Sequence, residues 1–274
     1  MPEGPEVRRA ADDLGRVLTG RPLVRIEYRV PGLARAARCL AGARVANVAA
    51  RGKALLIAYD NGLTHYSHNQ LYGQWVVHAA GHDNGVDPRA VRVVLATERH
   101  VATLYSATAI ALLDRSDLAR HPFLARLGPD VLDRATTPRA IRARLADPRF
   151  AGRSLGALLL DQGFLAGLGN YLRSDILNAA RLHPARRAAD LDADDASALA
   201  AAIHALPRQS YRTRGITNDL ARARRLAAAG VAFADYRFLV YDRAGRPCYG
   251  CGTTIRRSDA GGRGLFLCPR CQRS

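Results

Sequence analysis

Two cysteine pairs near the C-terminal end restrict this chain more than any other feature. Cys248-x2-Cys251 and Cys268-x2-Cys271 are separated by sixteen residues. Four thiolates at this spacing suit one tetrahedral Zn²⁺ with no open position, so the ion is structural and the segment between the pairs closes as a small metal-tied module. Two disulfides are the alternative, and they suit an oxidising compartment. The N-terminus carries Glu3 and Glu6 and no apolar signal core, so the expectation is a cytoplasmic chain. The fifth cysteine, Cys39, is expected to be a small buried or half-buried thiol without a role.

Charge narrows the partner. The 274 residues hold 41 Lys+Arg against 24 Asp+Glu, a formal charge of +17. The excess is +5 over residues 1–130 and +12 over 131–274. A polyanion, most simply nucleic acid, fits such a surface; an Arg-rich proteome is the plain alternative. With 48 % hydrophobic residues there is enough apolar material for a sizeable core, which excludes a disordered basic tail. The longest charge-free apolar stretch, 101–113, falls short of the roughly 20 residues a membrane span needs. Lys53 is the sole lysine among forty arginines. Only lysine can act as a compact ammonium acid, so Lys53 is either a chance survivor of the Arg bias or a chemical group.

Periodicity divides the chain. Residues 5–19 read as a helix: Pro5 suits the first position, and Val7, Ala10, Ala11, Leu14, Val17 and Leu18 form a stripe that Gly20 closes. Short β-type runs follow at 23–30, 54–59, 74–77, 91–96 and 101–105, broken by Pro31-Gly32, Asn61-Gly62 and Asn84-Gly85. This predicts a mainly antiparallel sandwich or barrel. His121-Pro122 and Gly128-Pro129 mark the domain boundary. Residues 137–230 read as helices, one capped by Thr137 before Pro138, another capped by Asp194 and broken at Pro207. Residues 236–241 look strand-like before the cysteine segment.

Four segments carry chemistry, each with a plainer alternative. Met1-Pro2-Glu3-Gly4-Pro5-Glu6 can lose Met1 and expose a secondary amine at Pro2; an α-amine keeps a useful neutral fraction near neutrality, and the positive end of the following helix enlarges it. Attack on an aldehyde-level carbon then gives an iminium that favours elimination, with Glu3 placed to move protons. The alternative is a flexible terminus and a helix cap. In 161–173, the centre Gly167-Leu168-Gly169-Asn170 suits a tight turn with Asn170 as N-cap, and free N–H groups there can hold a phosphate with Arg173 one turn inward. The alternative is a helical corner packed in a core. His68-Asn69-Gln70-Leu71-Tyr72-Gly73 can form a loop that wedges between bases, or a strand end in a β core. Arg263, among glycines between the cysteine pairs, is a phosphate contact at a hairpin tip or a solvated turn residue.

Taken together, these segments resemble one family over essentially the whole chain. They are 1–7, Arg51-Gly52-Lys53-Ala54-Leu55-Leu56, Tyr66-Ser67-His68-Asn69-Gln70-Leu71-Tyr72-Gly73, His121-Pro122-Phe123-Leu124, Gly128-Pro129-Asp130-Val131-Leu132, 158–173 and the four-cysteine end. Their order is that of the formamidopyrimidine-DNA glycosylase/endonuclease VIII family. Glu3-Gly4-Pro5-Glu6 and Gln70-Leu71-Tyr72 look like the endonuclease VIII branch, while Gly264-Leu265-Phe266-Leu267 is less aromatic than that branch usually shows.

The resemblance implies an α+β multidomain fold. Its parts are an N-terminal catalytic β-sandwich (1–124), a helix–two-turns–helix domain (125–234) and a C-terminal zinc-finger β-hairpin (235–274), with DNA in the cleft between them. It implies a monomer acting on damaged double-stranded DNA, associated with the bacterial nucleoid and with no membrane. The enzyme would excise oxidised pyrimidines and then cut the strand by β,δ-elimination. Pro2 would be the nucleophile that forms the Schiff base, Glu3 the proton donor for base release, and Lys53 the proton donor in β-elimination. Arg263 would serve δ-elimination and phosphate contact, and Arg173 would be a DNA-binding residue. Gln70, Arg126 and Asn170 match DNA-contacting positions, and Leu71 and Tyr72 the wedge. An extruded nucleotide needs such a wedge because its target carbon is unreachable inside a stacked duplex. Oxidised purines are the alternative substrate, and a non-catalytic zinc-dependent DNA-binding protein the alternative class.

Overall fold

The computed structural model describes residues 2–70, 72–82, 87–260 and 262–273. They form two compact units, one of Met1–Pro2 with Glu6–Arg126 and one of Glu3–Pro5 with Leu127–Ser274. Among the described residues no helix is long and apolar enough to cross a membrane.

The first unit takes helix α1 (Gly4–Leu18) from Glu6 onward, and its Val7, Ala11, Leu14 and Leu18 are buried on the expected stripe. Two antiparallel four-stranded sheets follow. One has the order β1 (Arg25–Tyr28), β6 (Val91–Ala96), β7 (His100–Tyr105), β5 (Gln74–Ala79). The other runs β2 (Val45–Arg51), β3 (Ala54–Tyr59), β4 (Thr64–His68), β8 (Ala109–Leu113). A single core takes Tyr28, Trp75, Val93 and Leu104 from the first sheet, Leu55 and Ile57 from the second, and the α1 stripe, which makes this a sandwich. Short helices α2 (Leu33–Ala36) and α3 (Arg115–Arg120) flank it.

The expected runs 54–59 and 91–96 are strands to the residue. Strands β2, β4 and β8 went unforeseen. The first is alanine-rich and only its first residue is buried, the second reads Thr-His-Tyr-Ser-His yet is buried almost throughout, and the third is half-buried along its length, so none shows apolar alternation. The Asn61-Gly62 turn joins β3 to β4, with Gly62 at φ 87°. Asn84-Gly85 lies outside the described residues.

The second unit is helical: α4 (Pro138–Leu145), α5 (Pro148–Ala151), α6 (Leu155–Leu158), α7 (Asn170–Ala179), α8 (Ala193–Arg212), α9 (Leu220–Ala228) and α10 (Phe233–Tyr236). Its core is separate, built on Leu158, Phe164, Leu172, Ile176 and Ile203. Thr137 caps α4 as expected, accepting from the Ala140 N–H. Two expectations for α8 need correction. Its N-cap is Asp192, which accepts from the Asp195 N–H, and the helix runs on through Pro207. A proline removes one backbone hydrogen bond, but Ile203, Leu206, Pro207 and Ser210 are buried and carry the helix across it.

Residues 236–241 are not a strand. Helix α10 ends at Tyr236, and the Leu239, Val240 and Tyr241 N–H groups all donate to the Asp175 carboxylate at 2.9–3.0 Å. Side-chain acceptance replaces the sheet ladder that apolar character alone suggested. The chain ends in an antiparallel hairpin, β9 (Arg256–Ala260) and β10 (Arg263–Leu267).

Candidate functional site

In the second unit the geometry centres on Glu3. Its carboxylate is buried at 3 % exposure. Oε1 accepts the Tyr171 N–H at 2.8 Å, and Oε2 accepts the Leu172 N–H at 3.3 Å. These are second- and third-position donors of α7, so Glu3 caps that helix from a distant part of the chain, and both the donors and the helix end favour its ionised form. Two glycines make the seat. A Cβ on Gly169 would lie 2.3 Å from Glu3 Cδ, and one on Gly4 would lie 3.0 Å from Gly167 Cα. The Gly4 N–H donates to the Gly167 carbonyl at 2.8 Å.

This corrects the reading of that turn. The N-cap of α7 is Gly169, with no side-chain cap bond, and Asn170 is the first helical residue. The N–H groups of 171 and 172 are spent on Glu3 and not left for a phosphate.

Asn170 faces the hairpin instead. Its Nδ2 donates to the Gly264 carbonyl at 2.7 Å, while its Oδ1 accepts from Arg173 Nη2 at 2.6 Å. Arg173 is 1 % exposed and also donates to the Gly156 and Gly264 carbonyls. Burial, then the nearby Arg263 charge, lowers its pKa to about 10. Arg173 therefore buttresses Asn170 and the hairpin from inside. Arg263, the first residue of β10, is exposed.

In the first unit Lys53 occupies the two-residue turn between β2 and β3. Gly52 has φ 60° and Lys53 follows it, the order of a type II′ hairpin turn, whose first central position favours glycine. Lys53 is buried at 7 % exposure. His68 ends β4, paired with Ala54, and burial together with the Lys53 charge holds its pKa below the ordinary value.

The segment after His68 is a turn between β4 and β5. The Gly73 N–H donates to the Asn69 carbonyl at 2.7 Å, and a Cβ at Gly73 would lie 2.5 Å from that oxygen, so only glycine closes it. Gln70 has φ 48°; its N–H donates to His68 Nδ1, and its Oε1 accepts from the Thr108 hydroxyl. Tyr72 stands 76 % exposed. Leu71 lies outside the described residues. Pro2 is half-buried on a cavity of about 690 Å³ that Asn69 and Gly73 also line. Arg126 is exposed, its Nε donating to the Pro122 carbonyl.

The four C-terminal cysteines converge, with their sulfur atoms all within 4.8 Å of one another. Cys248 and Cys271 Sγ are 3.9 Å apart, and Cys251 and Cys268 Sγ 3.5 Å. A disulfide needs about 2.05 Å. Tetrahedral thiolate bonds of about 2.3 Å put sulfurs roughly 3.8 Å apart, so the cluster fits one metal ion. The Gly250 and Cys271 N–H groups donate to Cys248 and Cys268 Sγ. Cys39 is exposed, against the expectation of a buried thiol.

Sequence reasoning passed over Gly169 as the seat of Glu3, Asn69 on the Pro2 cavity, and Asp175 as the anchor of 239–241. Only Asn69 had a signal, its place in the His68–Gly73 hexapeptide.

Comparison with known proteins follows the same segments. Residues 1–114 match the formamidopyrimidine-DNA glycosylase N-terminal domain, and 127–220 the formamidopyrimidine-DNA glycosylase H2TH domain. The chain is 45 % identical over 275 residues to Endonuclease 8 of Klebsiella pneumoniae subsp. pneumoniae, covering 99 % of this chain and 100 % of the relative. Endonuclease 8 of Escherichia coli strain K12 (DH10B) gives the same identity and coverage. Among solved structures, a complex of the LlFpg protein with a THF-DNA and an inhibitor superposes with TM-score 0.81 at 20 % identity, covering 100 % of both chains. MutM in complex with carbocyclic 8-oxo-G containing DNA gives 0.79 at 20 %, again over 100 % of both. These two likenesses establish the fold.

Proposed function

This chain belongs to the formamidopyrimidine-DNA glycosylase/endonuclease VIII family, on its endonuclease VIII branch, and from that premise we propose which of its residues carry the repair chemistry. The protein is a bifunctional base-excision-repair enzyme, a DNA glycosylase with AP lyase activity. Its substrate is damaged duplex DNA carrying an oxidised pyrimidine, and it works as a monomer in the bacterial cytoplasm on nucleoid DNA.

Pro2, freed by removal of Met1, is the nucleophile. Its nitrogen bonds to the sugar C1′ as the bond from C1′ to the damaged base breaks. Glu3, held by the Tyr171 and Leu172 N–H groups, takes the proton that the Pro2 ammonium must lose and delivers it to the departing base. The adduct nitrogen then gives up its last proton, the C1′–O4′ bond breaks and O4′ takes a proton, which leaves an iminium with no N–H to shed, so the opened adduct remains an electron sink. Transfer of a C2′ proton to solvent water then expels the 3′ phosphate, to which Lys53 donates as the proton donor of this β-elimination. A second elimination expels the 5′ phosphate, with Arg263 holding the charge. Gln70, Arg126 and Asn170 contact the strand, Arg173 supports Asn170, and Leu71 and Tyr72 fill the gap the extruded nucleotide leaves.

The four cysteines hold one structural Zn²⁺, which fixes the hairpin that carries Arg263. The three-domain division at 124/125 and 234/235 fits this assignment, since the helical region carries Asn170 and the last forty residues carry the cysteines and Arg263.

The seating of Glu3 on α7 is the observation that carries this reading: it fixes the residue next to Pro2 by two buried hydrogen bonds. The test is borohydride trapping on duplexes with an oxidised pyrimidine, an oxidised purine or an abasic site. Processed protein should form a covalent adduct, faster with the pyrimidine lesion than the purine one, and protein that retains Met1 should form none. Intact binding without any adduct would make the chain a DNA-binding module instead.

A further inference from the structure

Asn69, one of the residues that line the cavity beside Pro2, carries a polar atom the mechanism has not used. Asn69 is 6 % exposed, and its Oδ1 is buried without a hydrogen-bond partner among the described residues. A buried carbonyl oxygen left without a donor costs on the order of 1–3 kcal/mol. The surrounding turn keeps it there: the Gly73 N–H grips the Asn69 carbonyl, Gln70 takes a left-handed backbone, and no side chain is tolerated at Gly73. The same cavity is lined by Pro2.

Within the unprocessed chain the Pro2 nitrogen is a tertiary amide with no hydrogen to give. Removal of Met1 changes that one atom: it gains one N–H as the neutral amine and two as the ammonium. Processing thus creates a donor at one lining residue of a cavity whose lining also includes Asn69, the bearer of an orphaned acceptor.

We propose that Asn69 Oδ1 accepts a hydrogen bond from the mature Pro2 amine and is a positioning residue for the nucleophile. This rests on Pro2 being the nucleophile, as argued above. With one N–H held by Asn69, the second ammonium proton is the one surrendered, and the lone pair it leaves has a fixed direction. The bond is made by the amine and ammonium and is lost in the iminium, so Asn69 acts before the adduct and not on the later eliminations. Other charged or titratable groups line the same cavity, namely Glu6, Arg9, Asp13 and Arg16 of α1, His78 of β5 and His100 of β7. They form a background common to every variant.

The test compares wild type, Asn69→Asp and Asn69→Ala by two readouts. One is the pH profile of single-turnover adduct formation at an abasic site. The other is the titration of Pro2 in DNA-free protein by NMR with labelled proline, its signal assigned by Pro2→Gly. A carboxylate at 69 favours the ammonium, so Asn69→Asp should move the Pro2 titration and the profile alkaline by about a unit and slow trapping roughly tenfold at a pH below it. Loss of the acceptor in Asn69→Ala disfavours the ammonium and should move both toward acid. Opposite shifts support the proposal. Unshifted titrations, or shifts in one direction only, overturn it, whatever happens to overall activity. Absence of any wild-type adduct would sink the nucleophile assignment, and the DNA-free titration would still decide Asn69.

Discussion

At Gly169 a hydrogen atom stands where any other residue would place carbon against the Glu3 carboxyl group. The 2.3 Å approach is to the end of a side chain, which can swing away. Gly169 has φ −139° and ψ −151°, an extended backbone that alanine adopts freely. Gly169→Ala should therefore displace Glu3 from the Tyr171 and Leu172 N–H groups without unfolding the helix. Base excision should fall about 100-fold, the range for losing a positioned proton-transfer group. Circular dichroism and binding to an uncleavable abasic analogue should change little, and a wild-type excision rate would show that this seating has no catalytic consequence. Pro2, Glu3 and Lys53 could be proposed from the sequence because the chemistry proposed for them is written in residue type and position. Gly169 and Asn69 could not, because each acts only through what packs beside it.

Elements show the same division. Helix α1 and strand β3 follow from apolar periodicity, and β6 from a continuous β-type run that is buried throughout Val93–Ala96. The segment 236–241 misled because Asp175 of α7 organises it from 64 to 66 residues before the N–H groups it binds. Asp175 is fully buried and also accepts from the Thr217 hydroxyl. Burial raises its pKa, opposed by those four donors. Asp175→Ala would strand three backbone N–H groups just before the cysteine knuckle. At about 1–3 kcal/mol for each unsatisfied donor, partly relieved by entering water, the loss should be on the order of 3–5 kcal/mol. Urea unfolding of the zinc-loaded protein should show that loss, and Asp175→Asn, which keeps one acceptor oxygen, should recover part of it. A change under about 1 kcal/mol in the alanine variant would mean that the metal site and Val240 packing hold the segment alone.

On the scale of the whole molecule, the chain divides at Arg126/Leu127, between the two proline signals at 122 and 129, and each unit has its own core. The units should then answer to different stresses, and the first carries a marked acid weakness. His65 is the second residue of β4, with Nδ1 at 3.0 Å from the Tyr28 hydroxyl, which in turn is 3.1 Å from the Tyr59 hydroxyl; its Nε2 has no partner among the described residues. No carboxylate is among these contacts, and complete burial pushes its pKa from 6.5 down to about 3. An unfolded chain binds a proton at His65 below pH 6.5, and the folded chain refuses it until about pH 3. The stability this group contributes is therefore complete above 6.5 and is lost as pH falls through that window, at about 1.4 kcal/mol per unit. Between pH 6.5 and 5, above most carboxylate titrations, the first unit should lose about 2 kcal/mol. His68, depressed mainly by burial, adds in the same direction. A His65→Gln variant should start less stable at pH 7 yet lose less over the same interval, because glutamine takes up no proton. Denaturant unfolding followed through Trp75, the single tryptophan and a buried neighbour of the His65 ring, reads this unit directly. Equal slopes in wild type and variant would place the acid sensitivity in other groups and leave the buried histidine as a packing element alone.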